Sequence, residues 1–363
     1  MIEEQNQPGS LSTELVEEKG PNRNGIIDFF KYIAAIGVIL VHIPLPGVWG
    51  ILMNAVGVCG VGFFYIITGY ACWGTDKALM CRKILKRLRR NGIITIITVA
   101  VYFIFAWFYK KRIYALYPLK RALRLPSTYL SMILLGDFEL IYGAALWFMI
   151  ALLYCYIIFY VIVRFDLKKV VYIMTIPFLI IRIVVDTYVN SYPVSWHLSG
   201  NLLVGALPMV CLGYVIADQK ERLKNIKNRV LILVSILSTL AMFVTVLFYI
   251  GRFNISQPFK ILCAASIFVY GINNPDRHIC KPLEKCARQD TLLIYLSHFL
   301  LIIILSEKIY SLRPLPKHLD WYLPLAVIVA SLLLARVVSV LINLVKKVIE
   351  NRKTQKEEIA PQE

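Results

Sequence analysis

The chain has 363 residues, 58% of them apolar, and a mean hydropathy of +0.66. This composition excludes an ordinary soluble globular protein and predicts an all-α, polytopic integral membrane protein, a helical bundle in a lipid bilayer. The net charge is +18. The basic residues lie between the apolar segments, so membrane topology explains them better than a nucleic-acid partner does, and we expect no nucleic acid.

The eight cysteines form no CxxC pair, and most of them lie inside apolar runs. This pattern indicates reduced, buried thiols and argues against a disulfide framework. His278, Cys280 and Cys286 are close in sequence, but their spacing fits no standard zinc pattern and three ligands are too few. We therefore expect no metal site.

The apolar segments predict about ten transmembrane helices, because a helix needs about 20 apolar residues to cross a bilayer. Residues 1–24 are polar and lack the basic start of a signal peptide, so the first apolar run is expected to stay in the protein as a span. The transmembrane domain is expected to cover 25–345, followed by a charged, disordered cytoplasmic tail at 346–363. The predicted spans are 26–43, 51–73, 91–109, 140–163, 170–186, 201–217, 230–250, 259–272, 291–306 and 321–345.

Orientation follows from the basic residues of the connecting segments. If the N-terminus lies inside, the inner segments carry 26 Lys and Arg residues and the outer segments carry 10. Cytoplasmic loops are enriched in Lys and Arg, so this asymmetry predicts that both termini are cytoplasmic.

The first span contains three side chains that can carry a charge near neutral pH, Asp28, Lys31 and His42. Lys31 and His42 are eleven residues apart, which is about three helical turns or roughly 16 Å, so they share one helix face. Asp28 is one turn before Lys31 and is predicted to pair with it. Polar groups inside a bilayer are costly and indicate a functional site. The structural alternative is a snorkelling lysine and a hydrogen-bonded histidine of the bundle.

Three other polar features have both a structural and a functional interpretation. Arg182 and Asp186 are four residues apart and are predicted to pair, chiefly for structure. His298 lies about seven residues into the ninth span and is either a satisfied bundle histidine or an acid–base group. The run RKILKRLRR, which contains Arg82, Arg87 and Arg90, sets topology or binds the phosphates of a cytosolic donor.

Five short motifs follow one another along the chain. They are D-x-x-K-x(10)-H from Asp28 to His42, VGFFYIITGY from Val61 to Tyr70, the basic run RKILKRLRR, L-W-F at 146–148, and Y-L-x-H at 295–298. In this order they resemble the acyltransferase 3 family of polytopic membrane acyltransferases. Lys31 departs from the arginine usual in that family, and a lysine lacks the planar fork of a guanidinium. Gly62 and Thr68 also depart, from proline and serine.

The resemblance implies an acyltransferase that moves an acyl group, usually acetyl, from cytosolic acetyl-CoA or another acyl-CoA, with no bound cofactor. The acceptor would be a hydroxyl on a cell-surface glycan or a lipid-linked envelope molecule, and the location a multi-pass protein of a bacterial plasma membrane. The expected catalytic residues are His42 as base, Lys31 with Asp28 at the donor, and His298 as a second acid–base group. The expected binding residues are Tyr70 and Trp147 in the cavity, and Arg82, Arg87 and Arg90 at the CoA phosphates.

Two other function classes remain open at this point. A transporter or flippase would use the same intramembrane polar groups as a substrate or proton path, and it would consume no acyl-CoA. A membrane scaffold would tolerate the loss of His42.

Overall fold

The computed structural model describes residues 24–109, 126, 146–192, 198–248, 254–310 and 319–359, and these residues form helices and no strand. The all-α prediction is therefore confirmed. The helices are α1 (Gly25–His42), α2 (Gly47–Ala71), α3 (Lys77–Tyr109), α4 (Leu146–Arg164), α5 (Lys168–Ser191), α6 (Leu207–Asp218), α7 (Asn228–Leu247), α8 (Gln257–Asn273), α9 (Lys281–Tyr310) and α10 (Leu319–Ile359). A π-helical turn, Leu202–Ala206, precedes α6, and a four-residue helical turn, Lys220–Leu223, follows it.

Eight of the described helices are long and apolar enough to cross a membrane. The predicted spans 201–217 and 259–272 correspond to the shorter helices α6, with its π-helical turn, and α8. Large apolar side chains cover the outside of the bundle, among them Ile96, Ile176 and Leu333, which are 63–70% exposed. Such a surface is stable against lipid chains and costly in water, so the chain is a multi-pass membrane protein.

The centre of the bundle is formed by α1 and α2, which pack against each other, with α6 and α8 against α2 and α9 against α1. Glycines allow these close contacts. A Cβ atom at Gly57 would collide with the carbonyl of Gly37 on α1, and one at Gly213 would collide with the carbonyl of Ile66 on α2. Small residues are a common means of bringing membrane helices together, and here they bring α1 and α6 against α2 at different points along its length.

Both ends of α1 are fixed by side chains or by the chain that follows. Asn24 caps the first turn by accepting the Ile27 N–H at 3.0 Å, and its amide donates to the carbonyl of Gly271 at 2.5 Å. The helix ends at His42, just before Pro44 and Pro46, as the sequence predicts. The first span is therefore held in place at the turn that carries Asp28 and at the turn that carries His42.

The last helix, α10, continues past the predicted end of the span at 345 and ends at Ile359. The segment after 345 is charged, but Lys, Arg, Gln and Glu are good helix formers. A change from apolar to charged residues ends a membrane span without ending the helix.

Candidate functional site

Within the part of the bundle that the structure describes, two cavities are lined by several charged side chains. One, of about 540 Å³, is lined by Asp28, Lys31, Arg90 and Arg288, and we name it the Asp28 cavity. The other, of about 410 Å³, is lined by His42, Arg182, Asp186 and Lys260, and we name it the His42 cavity. Because Asp28 and His42 are at opposite ends of α1, the two cavities occupy opposite halves of the bundle. Both volumes are in the range of small-molecule sites.

In the Asp28 cavity, one buried carboxylate accepts bonds from two basic side chains. Lys31 Nζ lies 2.9 Å from Asp28 Oδ1, and Arg288 Nε lies 2.9 Å from Asp28 Oδ2. The pairing of Asp28 with Lys31 is as the sequence predicts. Arg288, from α9, is a partner that the sequence analysis missed. With Arg90 also lining this cavity, its described residues carry three positive charges and one negative charge.

The two predicted histidines are neighbours, although 256 positions separate them in the sequence. The rings of His42 and His298 have centroids 5.3 Å apart. His298 is fully buried, and its Nδ1 lies 2.6 Å from the carbonyl oxygen of Tyr295. Since a carbonyl only accepts, Nδ1 carries a proton and Nε2 keeps a lone pair in the neutral ring. His298 Nε2 is buried and has no hydrogen-bond partner among the described residues.

Phe148 and Tyr295 separate the two cavities. Each of these residues lines both cavities, and their ring centroids are 5.1 Å apart. Phe148 also packs on the buried ring of Tyr65 at 4.6 Å. The partition therefore consists of side chains from α2, α4 and α9, which meet beside the two histidines.

A buried polar cluster forms one wall of the His42 cavity. Arg182 Nη1 donates to the carbonyls of Val204 and Gly205 in the π-helical turn. The Gln257 amide, oriented so that its oxygen faces Arg182, accepts from that guanidinium and donates to Asp186 Oδ2 at 2.9 Å. The predicted direct pairing of Arg182 with Asp186 is therefore corrected: Gln257 bridges them, because the guanidinium is directed to the π-helical turn. Lys260, one turn after Gln257, was also missed.

The remaining predicted site residues fall at different places. Trp147 lines the His42 cavity, and Arg90 lines the Asp28 cavity. Tyr70 lines neither cavity, because its ring packs against Phe268 with centroids 5.2 Å apart. Arg87 lines neither, since its guanidinium donates to the carbonyl of Ala71 at the end of α2. Arg82 is exposed on α3 and also lines neither cavity.

The residues considered for a zinc site have other partners. His278 Nδ1 lies 2.6 Å from Glu284 Oε2, and the Cys280 N–H donates to the same carboxylate. No group of three or more potential metal ligands occurs within the part of the chain that the structure describes. All eight cysteines are free thiols.

The fold and the cavities together define a multi-pass helical membrane protein with a buried polar site. A family model described as an acyltransferase domain matches residues 24–344. The chain therefore belongs to the acyltransferase 3 family, and it is a membrane acyltransferase by that membership. Comparison with curated proteins and with solved structures found no match.

Proposed function

We propose that this membrane acyltransferase moves an acetyl group from cytosolic acetyl-CoA to a hydroxyl group of a cell-surface glycan or lipid-linked acceptor. One observation carries the proposal: two polar cavities enter the bundle from opposite halves and share the partition of Phe148 and Tyr295. In the proposal the donor occupies the Asp28 cavity, the acceptor occupies the His42 cavity, and the acyl group is transferred beside the partition.

Charge supports the choice of donor. The Asp28 cavity has an excess of two positive charges among its described residues. Lys31 and Arg288 share the Asp28 carboxylate, and each keeps further N–H groups for a ligand. Asp28 is the one carboxylate among the described lining residues, so no other carboxylate of this cavity is left to pair with Arg90. An excess of basic donors favours a ligand with several phosphates, such as coenzyme A. The basic run that contains Arg90 is predicted to be cytoplasmic, where acyl-CoA is available.

The chemistry assigns a role to each histidine. His42 takes the proton of the acceptor hydroxyl as its oxygen attacks the thioester carbonyl. A carbon–oxygen bond forms, the carbon–sulfur bond breaks, and the CoA thiolate leaves with a proton returned to it. Imidazole is suited to this exchange near neutral pH. His298, with its ring 5.3 Å from His42 and its Nε2 lone pair unused, serves as a second acid–base group.

The test uses membrane vesicles of known orientation that receive radiolabelled acetyl-CoA on the cytoplasmic side. Thiol release and label in envelope material are followed for the wild type, His42→Ala and the matched control His278→Gln. His278 pairs with Glu284 and lines neither cavity. We expect His42→Ala to lower the transfer rate by a factor of about 10²–10⁴ at normal protein levels, and His278→Gln to retain it.

Two outcomes would contradict the proposal. Full activity of His42→Ala would remove the base assignment. No release of CoA by the wild type, with several acyl donors and native envelope present, would favour a transporter or flippase that uses the same polar groups.

A further inference from the structure

Lys260 is a buried basic residue that the proposed reaction does not use. It lies in the first turn of α8, is 6% exposed, and lines the His42 cavity. Its backbone carbonyl accepts from the Cys59 thiol, which fixes the position of this turn against α2. Among the described residues, no hydrogen bond or ion pair involves its ammonium group. The ammonium nitrogen is not itself fully enclosed, so it faces the open space of the cavity, where it is available to an anion.

The neighbouring charged groups do not satisfy Lys260. Arg182 is held by the π-helical turn and by Gln257, and it repels a second cation. Asp186 lines the same cavity and attracts Lys260 electrostatically, but its carboxylate accepts from the Gln257 amide and lies beyond ion-pair distance of Lys260. By formal charge, two cations and one carboxylate leave the wall of the cavity that His42 also lines with one excess positive charge.

We infer that Lys260 is a specificity-determining residue that binds a single negative charge on the acceptor, either a carboxylate or a phosphodiester. This inference rests on the proposed function, because it takes the ligand of the His42 cavity to be the acceptor. One excess positive charge matches one negative charge, and a charge-assisted bond is strong where water is excluded. The anion then holds the acceptor so that a hydroxyl group of the same molecule lies at His42.

Two pairs of probes isolate the negative charge. Methyl β-D-glucuronide and methyl β-D-glucoside differ in one carboxylate, while glycerophosphoglycerol and diglycerol differ in one phosphodiester. Each probe is titrated against the purified protein in lipid nanodiscs, and its affinity is taken from the rise in unfolding temperature. This readout needs no turnover. The first pair tests a carboxylate source and the second tests a phosphodiester source.

We expect the wild type to bind at least one acidic probe about tenfold more tightly than its neutral match. Lys260→Met removes the charge while keeping an unbranched side chain, and we expect it to bind both members of each pair equally. Lys260→Arg keeps the charge and is expected to retain the preference. The unfolding curves also show whether each variant is folded.

Equal binding of acidic and neutral probes by the wild type would overturn the inference, as would no binding of either acidic probe or a preference that survives in Lys260→Met. The proposed function is tested separately by release of CoA in the vesicle assay. A charge preference without release of CoA would support the inference and contradict the donor assignment. Release of CoA that depends on His42, without a charge preference, would support the proposed function and contradict the inference about Lys260.

Discussion

Both cavities carry excess positive charge, but their basic side chains differ in exposure to solvent and in whether a carboxylate contacts them. In the Asp28 cavity the basic side chains are partly exposed, 29% for Lys31 and 32% for Arg288, and they share a buried carboxylate. In the His42 cavity Arg182 and Lys260 are both more than nine-tenths buried, and Lys260 has no contacting anion among the described residues. Partly hydrated cations suit a large phosphorylated donor that enters and leaves at each turnover. Buried, fixed charges suit selection of one acceptor group.

The partition explains how two such different sites can serve one reaction. Phe148 and Tyr295 place an aromatic layer between the Asp28 cavity, which we propose binds the charged phosphates of the donor, and the His42 cavity with its buried Lys260. An acyl group is small and uncharged, whereas the rest of both substrates is polar. A narrow aromatic boundary therefore favours exchange of the acyl group over mixing of the two ligands.

The largest effect on stability is expected at Arg182, which holds the wall of the His42 cavity together. Arg182→Met would leave the carbonyls of Val204 and Gly205, and the amide oxygen of Gln257, without their donor. Leaving a buried acceptor without a donor costs about 1–3 kcal/mol for each group, so thermal unfolding in nanodiscs should move to a clearly lower temperature. Lys260→Met is the matched control.

The control should change stability little or raise it, because it removes a buried charge that contacts no anion among the described residues. If Arg182→Met and Lys260→Met unfold at the same temperature as the wild type, the bridge through Gln257 does not support the fold. That result would contradict the assignment of a structural role to Arg182 and a ligand-binding role to Lys260.

A smaller effect is expected at Arg288, in the cavity proposed to bind the donor. Arg288→Gln removes one charge from the Asp28 cavity but leaves Lys31 as the partner of Asp28. Loss of one charge-assisted bond costs about 1.5–3 kcal/mol, so the KM for acetyl-CoA should rise by about tenfold or more with kcat little changed. Initial rates of thiol release over a range of acetyl-CoA concentrations measure both constants.

Arg336→Gln on α10 serves as the control for Arg288→Gln, because Arg336 pairs with Asp290 and Gln289 and lines neither cavity. A drop in kcat with an unchanged KM in Arg288→Gln would move this residue from donor binding to the chemical step.

The sequence predicts those parts of the molecule that depend on neighbouring residues. Membrane helices are predictable because each must satisfy its own backbone hydrogen bonds inside an apolar segment. The pairing of Asp28 with Lys31 follows from one helical turn, and the end of α1 follows from the prolines after His42. Each of these depends on fewer than about five residues of local sequence.

The parts that were missed depend on contacts between distant helices. Arg288 reaches Asp28 across 260 positions, and nothing in the pattern of α9 distinguishes it from a topogenic basic residue. Lys260 is a single cation at the start of a short helix, where a snorkelling side chain is the ordinary interpretation. The bridge through Gln257 depends on the π-helical turn, which draws Arg182 away from a direct pair with Asp186. The same holds for the two histidines. Each can be identified in the sequence by itself, but the 5.3 Å distance between their ring centroids arises from the packing of α1 against α9.

The smallest effect is expected at Lys31, the position where the chain departs from the arginine of its family. The Lys31 ammonium donates to one oxygen of Asp28, and Arg288 donates to the other. A guanidinium at position 31 keeps the charge, so Lys31→Arg should change kcat/KM for acetyl-CoA by less than about threefold. Lys31→Met, which removes the charge, is its matched control and should raise KM as Arg288→Gln does. If Lys31→Arg instead loses activity while Lys31→Met keeps it, the space beside Asp28 rather than the charge limits donor binding. The Asp28 cavity would then select its ligand by shape, and the difference between the two cavities would not be one of charge.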